Sequence, residues 1–334
     1  MKKEPLVSVI IPNYNHASFL HDRIESVLNQ TFKDFEIILL DDRSTDNSLD
    51  ILHQYKNHPK VKHFEVNNKN SGSVFKQWVK GTNLAKGKYT WIAESDDVAH
   101  PEFLEKMVNF AEQKDNLGLV FCKSRVIDEN SLKLSKVLQP PQNESHFEIN
   151  GEEEVSKYII KKLSIQNASS VVFKSIALRS LHQNKLSQFT NVGDMFSYIF
   201  IGLHYKNCFL DDFLNYHRIH GENTTVVNSI NNKILIDRIN LIQYLIPYFN
   251  AVNSKRDLLH FYFRQILKSL DHQMYMINKK TLNKFYKFRY FNFRTYYSIR
   301  LLLLIYQIGK GKIPFSLRKL YKNFFENITY VNQS

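Results

Sequence analysis

Cysteine is almost missing from this chain: two in 334 residues, Cys122 and Cys208, with no CxxC and no histidine or cysteine cluster nearby. That argues against a disulfide scaffold and a zinc site, and it fits a reducing compartment. Long hydrophobic runs are missing as well. The longest uncharged apolar run, Leu301–Tyr306, falls far short of the ~18–20 residues that span a bilayer. The N-terminal Met1-Lys2-Lys3-Glu4-Pro5 leads directly into the short β-branched run Leu6–Ile11. Neither the longer apolar core nor the small-residue cleavage site of a signal peptide is there. The expectation is a protein made and kept in the cytoplasm. A GxGxxG after the first strand signal is missing too. Pro12-Asn13-Tyr14-Asn15-His16 stands in its place, which argues against a hydride-transferring, dinucleotide-binding enzyme. No internal repeat and no low-complexity segment occurs.

What is there reads as a soluble globular protein, 43% apolar and 23% charged. Its length suits one large α/β domain with an appendage, or two ordinary domains. Aromatics are plentiful, 25 Phe and 18 Tyr, with the excess late in the chain. Charge is unevenly placed. Residues 229–334 hold 18 Lys and Arg against 4 Asp and Glu, a net of +14, whereas residues 1–228 hold 27 against 28, a net of −1. Such asymmetry concerns partners rather than fold.

The first half alternates strand and helix signals. Leu6–Ile11 reads as a buried strand closed by Pro12. Phe19, Leu20, Ile24, Val27 and Leu28 then share one face of a helix over about Ser18–Asn29. Glu36–Leu40 is a second strand ending in Asp41-Asp42, and Asp46–Tyr55 a second helix with Asp46 as its N-cap. Val61–Val66 is a third strand, followed by a helix over Val74–Ala85 that Gly87 ends. Tyr89–Ala93 is a fourth strand, running into Glu94-Ser95-Asp96-Asp97. Pro101 opens another helix, and Leu117–Cys122 is a fifth strand. Beyond residue 125 the alternation weakens. A polar loop at Gln139–Asn143, a helix at Glu152–Lys162 and a strand at Ser169–Phe173 are expected, and from Asn231 the pattern turns helical, basic and aromatic. Strands separated by single helices make a doubly wound, mostly parallel sheet, in which ligands bind beyond the carboxyl ends of the strands. Three polar clusters, Asn13-Tyr14-Asn15, Asp41-Asp42 and Asp96-Asp97, should therefore meet on one edge.

Paired carboxylates at a strand end suit a hard divalent cation bridging a diphosphate. Such a cation offsets charge on a nucleoside-diphosphate leaving group. A solvated turn with a helix cap is the plainer reading of Asp96-Asp97, and the expected company of Asp42 outweighs it. Asp41 reads as a structural cap. The ring of Tyr14, just past the first strand, suits stacking on a nucleobase, although a lone tyrosine there also reads as rim packing.

Val7–Asn15, Phe35–Ser48 and Ala85–Asp97 together resemble the motifs of family-2 inverting glycosyltransferases with the GT-A fold, in the family's order and over roughly residues 6–220. The resemblance implies a GT-A (Rossmann-like) α/β catalytic domain over 1–228, with a donor half of about 1–125 and an acceptor half of about 126–228. A helical, basic and aromatic C-terminal region fills 229–334. Pro12 and Tyr14 would border a uracil or thymine ring and Asp42 would hydrogen-bond it. Asp96 would face the ribose and diphosphate, and Asp97 would ligate Mn²⁺ or Mg²⁺. Glu94 stands where the family more often has Asp. Gly193-Asp194 matches the element that carries the catalytic base. Arg218 and His220, in His217–Asn223, match a loop closing over the diphosphate, and Lys76 lies in a stretch near the donor. Taken alone, Asp194 reads as a helix N-cap and Arg218 and His220 as structural.

The implied reaction is inverting transfer from a UDP- or dTDP-sugar to a glycan or lipid-linked acceptor, in surface-polysaccharide assembly. One carboxylate suffices for that chemistry, whereas retention needs a second, nucleophilic one. A non-catalytic nucleotide-binding protein of the same fold would not need Asp42, Asp96, Asp97 and Asp194 together. A nucleotidyltransferase would carry a glycine-rich basic loop after the first strand, which this chain lacks. In the tail, Lys279–Arg300 interleaves cations with Phe and Tyr. That pattern suits a helical appendage, or a peripheral anchor on the inner face of the plasma membrane. Nucleic-acid binding is not expected, since no such motif accompanies the charge.

Overall fold

Two apolar runs build the middle of a ten-stranded sheet. VSVIIPN forms β1 (Val7–Asn13) and FEIILLD forms β2 (Phe35–Asp41), each buried along its whole length. Near-continuous apolar strands are what a parallel sheet covered on both faces requires. The two run parallel in a register that pairs Val7 with Phe35 and Asn13 with Asp41, so their polar ends finish side by side. This computed structural model describes residues 4–141, 145–155, 164–181, 183–221 and 233–249. The chain divides into two compact units, Met1–Asn228 and Ser229–Ser334.

The remaining strands of the first unit are β3 (Val61–Val66), β4 (Tyr89–Ile92), β5 (Val98–Ala99), β6 (Leu117–Ile127), β7 (Lys133–Leu138), β8 (His146–Ile149), β9 (Val171–Lys174) and β10 (Lys206–Arg218). The sheet order is β3-β2-β1-β4-β9-β6-β10-β5, with β7 on β6 and β8 on β10. β3, β2, β1 and β4 are mutually parallel, and β9 runs against both β4 and β6. β10 lies parallel to β6. The mixed α/β fold with a mostly parallel centre is therefore the expected one. The short antiparallel additions β7 and β8 were not expected. β7 is largely exposed and its sequence KLSKVL lacks the apolar run of a central strand.

Helices cover the sheet: α1 (Ala17–Leu28), α2 (Ser48–Tyr55), α3 (Val74–Leu84), α4 (Phe103–Glu112), the short α5 (Gly151–Glu153), α6 (Ser175–Arg179) and α7 (Gln183–Leu186), and α8 (Gly193–Gly202). The second unit holds α9 (Lys233–Leu245). Leu20, Ile24 and Val27 of α1 and Phe103, Leu104, Met107 and Val108 of α4 are buried against the sheet, with Trp91 and Phe103 in ring contact at 4.5 Å. Each such large side chain contributes roughly 1.5–3 kcal/mol by leaving water. No helix among the described residues is long and apolar enough to cross a membrane.

Three local expectations need correction. Asp46 is not the cap of α2, which is Asn47; its carboxylate accepts from Ser48 N–H and, across the turn, from Ala17 N–H at the start of α1. Gly87 does not end α3, which stops at Leu84 with an extended Ala85. Gly87 instead crosses hard against β1, where a Cβ would lie 2.6 Å from Ser8 N. The helix expected at Glu152–Lys162 is present at its start; residues 156–163 lie outside the described residues.

Glu154, just after α5, is fully buried. It accepts from Ser164 N–H at 3.0 Å and from Ser164 Oγ at 2.5 Å. Burial raises its carboxyl to about 7, against the pull of those two hydrogen bonds. The native chain thus keeps a proton that the unfolded chain releases near 4.5. Stability gained from this group is full below that value and is lost as pH rises towards 7, by up to about 3 kcal/mol. Glu154→Gln carries no charge and can still accept from Ser164 N–H at its oxygen while its amide nitrogen donates to Ser164 Oγ. In urea unfolding it should match wild type near pH 4.5 and exceed it near pH 8; parallel pH profiles for the two proteins would refute the assignment.

Candidate active site

Because β1 lies between β2 and β4, the polar residues that follow these three strands converge at one edge. The end of β10 and the start of α8 join them. At β2, Asp41 is wholly buried and accepts from Asn13 Nδ2 at 2.8 Å, Ser44 N–H at 2.8 Å and Ser44 Oγ at 2.7 Å, a structural cap as expected. Asp42 is 4% exposed. It accepts from Asn67 Nδ2 at 2.5 Å, Ser71 N–H at 2.9 Å, Ser71 Oγ at 2.7 Å and Gln77 Nε2 at 2.9 Å. Here it pins the turn that precedes α3. Lys76 is exposed and donates to Ser71 O of that same turn at 2.6 Å. Pro12 is buried inside β1, and Tyr14 stands 43% exposed beyond it.

The Glu94–Asp97 turn is held from three sides. Arg23 of α1 is fully buried; its Nε donates to Glu94 O at 2.7 Å, and its Nη2 donates to Ser169 Oγ at 3.2 Å and lies 4.0 Å from Asp97 Oδ2. Ser169 Oγ in turn accepts from Glu94 N–H. On the second side, Asp97 is 1% exposed. It accepts from Arg218 N–H at 2.8 Å and Asn167 Nδ2 at 2.9 Å, with His217 Nδ1 at 3.2 Å. On the third, His16 Nδ1 lies 2.8 Å from Ser95 Oγ, and His220 Nε2 lies 3.1 Å from Asp96 Oδ2.

The charges respond to this crowding. Glu94 is pushed well above the usual carboxylate range by burial and by Asp96, Asp97 and Asp194. Burial would raise Asp97 too, but His217, Arg23 and the Arg218 N–H hold it well below that range. His217 loses through burial and gains more from Asp97, ending above its ordinary value. Burial lowers Arg23 to about 10 despite the surrounding carboxylates, so it stays a cation at neutral pH.

Asp194 occupies the first turn of α8, whose N-cap is Val192, and its Oδ1 accepts from Met195 N–H at 2.7 Å. Its charge helps to raise both Glu94 and Tyr198, after burial in each case. Arg218 is 1% exposed and is used by the framework. It donates to Asp96 O, Asp128 O, Glu129 O and Ser131 Oγ, and it pairs with Asp22 at 3.1 Å. Of the two loop residues, Arg218 meets the Asp96 backbone carbonyl and His220 its carboxylate.

Ligand atoms of Glu94, Asp96 and Asp97 lie within 4.8 Å of one another, and so do those of His16, Asp96 and His220. An all-oxygen set of that kind fits a hard divalent cation.

Residues 8–180 match the family described as Glycosyl transferase family 2. The chain belongs to that family. It is 32% identical over 185 residues to an uncharacterised glycosyltransferase of Methanocaldococcus jannaschii, covering 55% of this chain and 61% of that protein. It is 38% identical over 127 residues to the poly(ribitol-phosphate) β-N-acetylglucosaminyltransferase TarP of Staphylococcus aureus, covering 37% of each. The matched stretch thus spans less than two thirds of these relatives. Among solved structures, S. aureus TarS in complex with UDP-GlcNAc superposes with a TM-score of 0.64 at 17% identity, over 83% of this chain and 78% of that one. The Pyrobaculum calidifontis mannosyltransferase PcManGT, in complex with GDP-Man and Mn²⁺, gives 0.54 at 13% identity, over 92% and 87%. These likenesses establish the GT-A fold.

Within this family-2 site the residue that sequence reasoning missed is Arg23. It occupies a buried position on the stripe of Leu20, Ile24 and Val27, where an arginine has no place unless something inside needs its charge. Removing one partner of a buried ion cluster typically costs about 3–5 kcal/mol. Arg23→Met should destabilise the protein by that order in urea unfolding, and Arg23→Lys, which keeps the charge but not the fork, should recover part of the loss. A Met variant as stable as wild type would remove Arg23 as the counter-charge.

Proposed function

We propose that this chain is a nucleotide-sugar-dependent, inverting glycosyltransferase with Asp194 as its base. The observation that carries the reading is the gathering of Glu94, Asp96 and Asp97 within 4.8 Å at the strand ends, with the first turn of α8, which carries Asp194, seated on α3 where Gly193 meets the Phe75 ring. In the reaction Asp194 takes the acceptor hydroxyl proton as that oxygen attacks the anomeric carbon. The bond to the nucleoside diphosphate breaks on the opposite face, inverting the centre. Tyr14 and Pro12 border the base. Asp42 recognises it, either directly or through the Asn67–Ser71 turn that it orders. Lys76 lies beside that turn, and His220 beside the diphosphate. Glu94, Asp96 and Asp97 are the oxygen donors for Mn²⁺ or Mg²⁺, with Asp97 the ligand that the family resemblance selects. A bound cation would supply positive charge to the departing diphosphate.

Support for a UDP- or dTDP-sugar comes from the TarS complexes with UDP and UDP-GlcNAc. Support for surface-polysaccharide assembly comes from TarP and from the putative teichuronic acid biosynthesis glycosyltransferase TuaG of Bacillus subtilis, 32% identical over 140 residues. The net charge of +14 over 229–334 suits an anionic membrane face, where a lipid-linked acceptor would lie.

The reading is tested by calorimetry with UDP, dTDP and GDP, with and without Mn²⁺, alongside turnover of the matching sugar donors. Wild type should bind UDP or dTDP in a Mn²⁺-dependent way. Asp194→Asn should keep that binding while kcat falls by roughly 10²–10⁴, the usual worth of a positioned base. No nucleotide binding under any condition would leave a non-catalytic protein of this fold as the better reading. Undiminished turnover in Asp194→Asn would take the base role from Asp194.

A further inference from the structure

Two sets of side chains meet at Asp96, and they differ in chemistry. One is all oxygen: Glu94, Asp96 and Asp97. The other combines a ring nitrogen from each of two histidines with the same carboxylate: His16, Asp96 and His220, with the offered atoms again within 4.8 Å of one another. The histidines come from opposite ends of the catalytic unit, His16 from the turn between β1 and α1 and His220 from just after β10. Their rings meet edge to face at 5.5 Å, and His220 also packs on Phe19 at 4.6 Å.

Asp97 has little to add beyond one oxygen lone pair. Both of its oxygens already accept hydrogen bonds, from Arg218 N–H and from Asn167, and the Arg23 guanidinium lies 4.0 Å away. A dication shared by Asp97 and Asp96 is pushed from Arg23 towards the Asp96 side and takes its remaining ligands there. The Asp96 side offers imidazoles instead of a guanidinium. His16 is also held in the manner of a metal-ligating histidine. One ring nitrogen, Nδ1, is engaged by Ser95 Oγ, which fixes the ring and leaves Nε2 for an ion.

We propose that His16 and His220 are nitrogen ligands of the divalent ion held at Asp96. The site then selects a first-row transition ion such as Mn²⁺ over Mg²⁺ and Ca²⁺. The role of the ion rests on the donor-site reading above; its ligands do not. Imidazole nitrogen suits transition ions, whereas Mg²⁺ and Ca²⁺ take oxygen. The same two histidines join the start of α1 to the end of β10 across the ion.

Pulsed electron paramagnetic resonance on the full chain loaded with one equivalent of Mn²⁺, with and without UDP, reads the ligands directly. Wild type should show ¹⁴N coupling that changes to the ¹⁵N pattern on ¹⁵N-histidine labelling. His16→Gln and His220→Gln should each remove part of it. Each variant should also lose roughly tenfold or more in Mn²⁺ affinity, the scale of a lost ligand-shell partner, with Mg²⁺ affinity nearly unchanged. Bound Mn²⁺ without nitrogen coupling in wild type overturns the proposal while leaving a carboxylate-held ion and the donor site standing. Coupling unchanged in both variants overturns it as well. Mn²⁺ that fails to bind overturns it too, and calorimetry with UDP alone then decides separately whether the nucleotide site survives. The wild-type measurement needs no variant to fold.

Discussion

A guanidinium without access to water sits beneath the Glu94–Asp97 carboxylates, and the geometry of this edge depends on it. Leaving such a cation alone in the interior would cost many kcal/mol, and so would leaving three carboxylates close together. Each makes the other tenable. Arg23 donates to the Glu94 carbonyl and to Ser169, stands near Asp97 and lies over the Trp91 ring at 5.5 Å. It thereby joins α1, the end of β4 and the residues leading into β9. The opposed shifts of Glu94, upward, and Asp97, downward, follow from burial and from where the positive groups fall, His217 first and Arg23 after it. Asp97 has Arg23 and His217 beside it, whereas Glu94 is dominated by burial and by its acidic neighbours.

The result is a turn whose backbone is set before any ligand arrives. Glu94 N–H and C=O are both taken by the Arg23–Ser169 pair, Asp96 C=O by Arg218, and the Asp97 carboxylate by Asn167 and Arg218 N–H. A site that must stabilise developing charge gains from groups that need no rearrangement at that moment. Here the fixed groups belong to the framework. Asp96, His220 and His16 form the side of the turn away from Arg23.

Much of this was legible in the sequence because the central strands obey one simple rule. Val7–Asn13, Phe35–Asp41 and Tyr89–Ile92 are short, mostly apolar and bounded by polar turns. Their ends lead into the motif residues, so the meeting of Asn13, Asp42 and Asp96 could be read from alternation alone. What stayed hidden lies in side-chain pairings across long stretches of chain. Arg23 and Ser169 are 146 residues apart, and Asn167 and Asp97 are 70 apart. Neither pairing has a local signature, although an arginine inside an apolar helical stripe is a usable warning. Asp46 misled for a related reason. A carboxylate two residues before a helix resembles its cap, and only the fold reveals that its second oxygen reaches the first turn of α1. The histidines were read as possible phosphate contacts or passed over, because nothing linear relates His16 to His220.

The two halves of the first unit are also joined by a continuous path, which runs from Asp42 to the first turn of α8. Asp42 holds Ser71. Ser71 Oγ donates to Asp42 and accepts from Ser73 N–H, and Ser73 caps α3 by accepting from Phe75 N–H. The Ser73 hydroxyl also donates to Phe189 O at 2.6 Å, in the segment that leads into α8. Four residues later Gly193 passes so close to the Phe75 ring that a Cβ would lie 2.5 Å from it. Only a residue without a side chain lets the first turn of α8 seat there, and Asp194 follows at once. Contact with α3 is thus a physical reason for the glycine of the Gly-Asp pair. Any group that settles on Asp42 and reorders the Asn67–Ser71 turn pulls on the same hydrogen bonds that position α8. The end of β2 and the first turn of α8 are in this way parts of one mechanical unit.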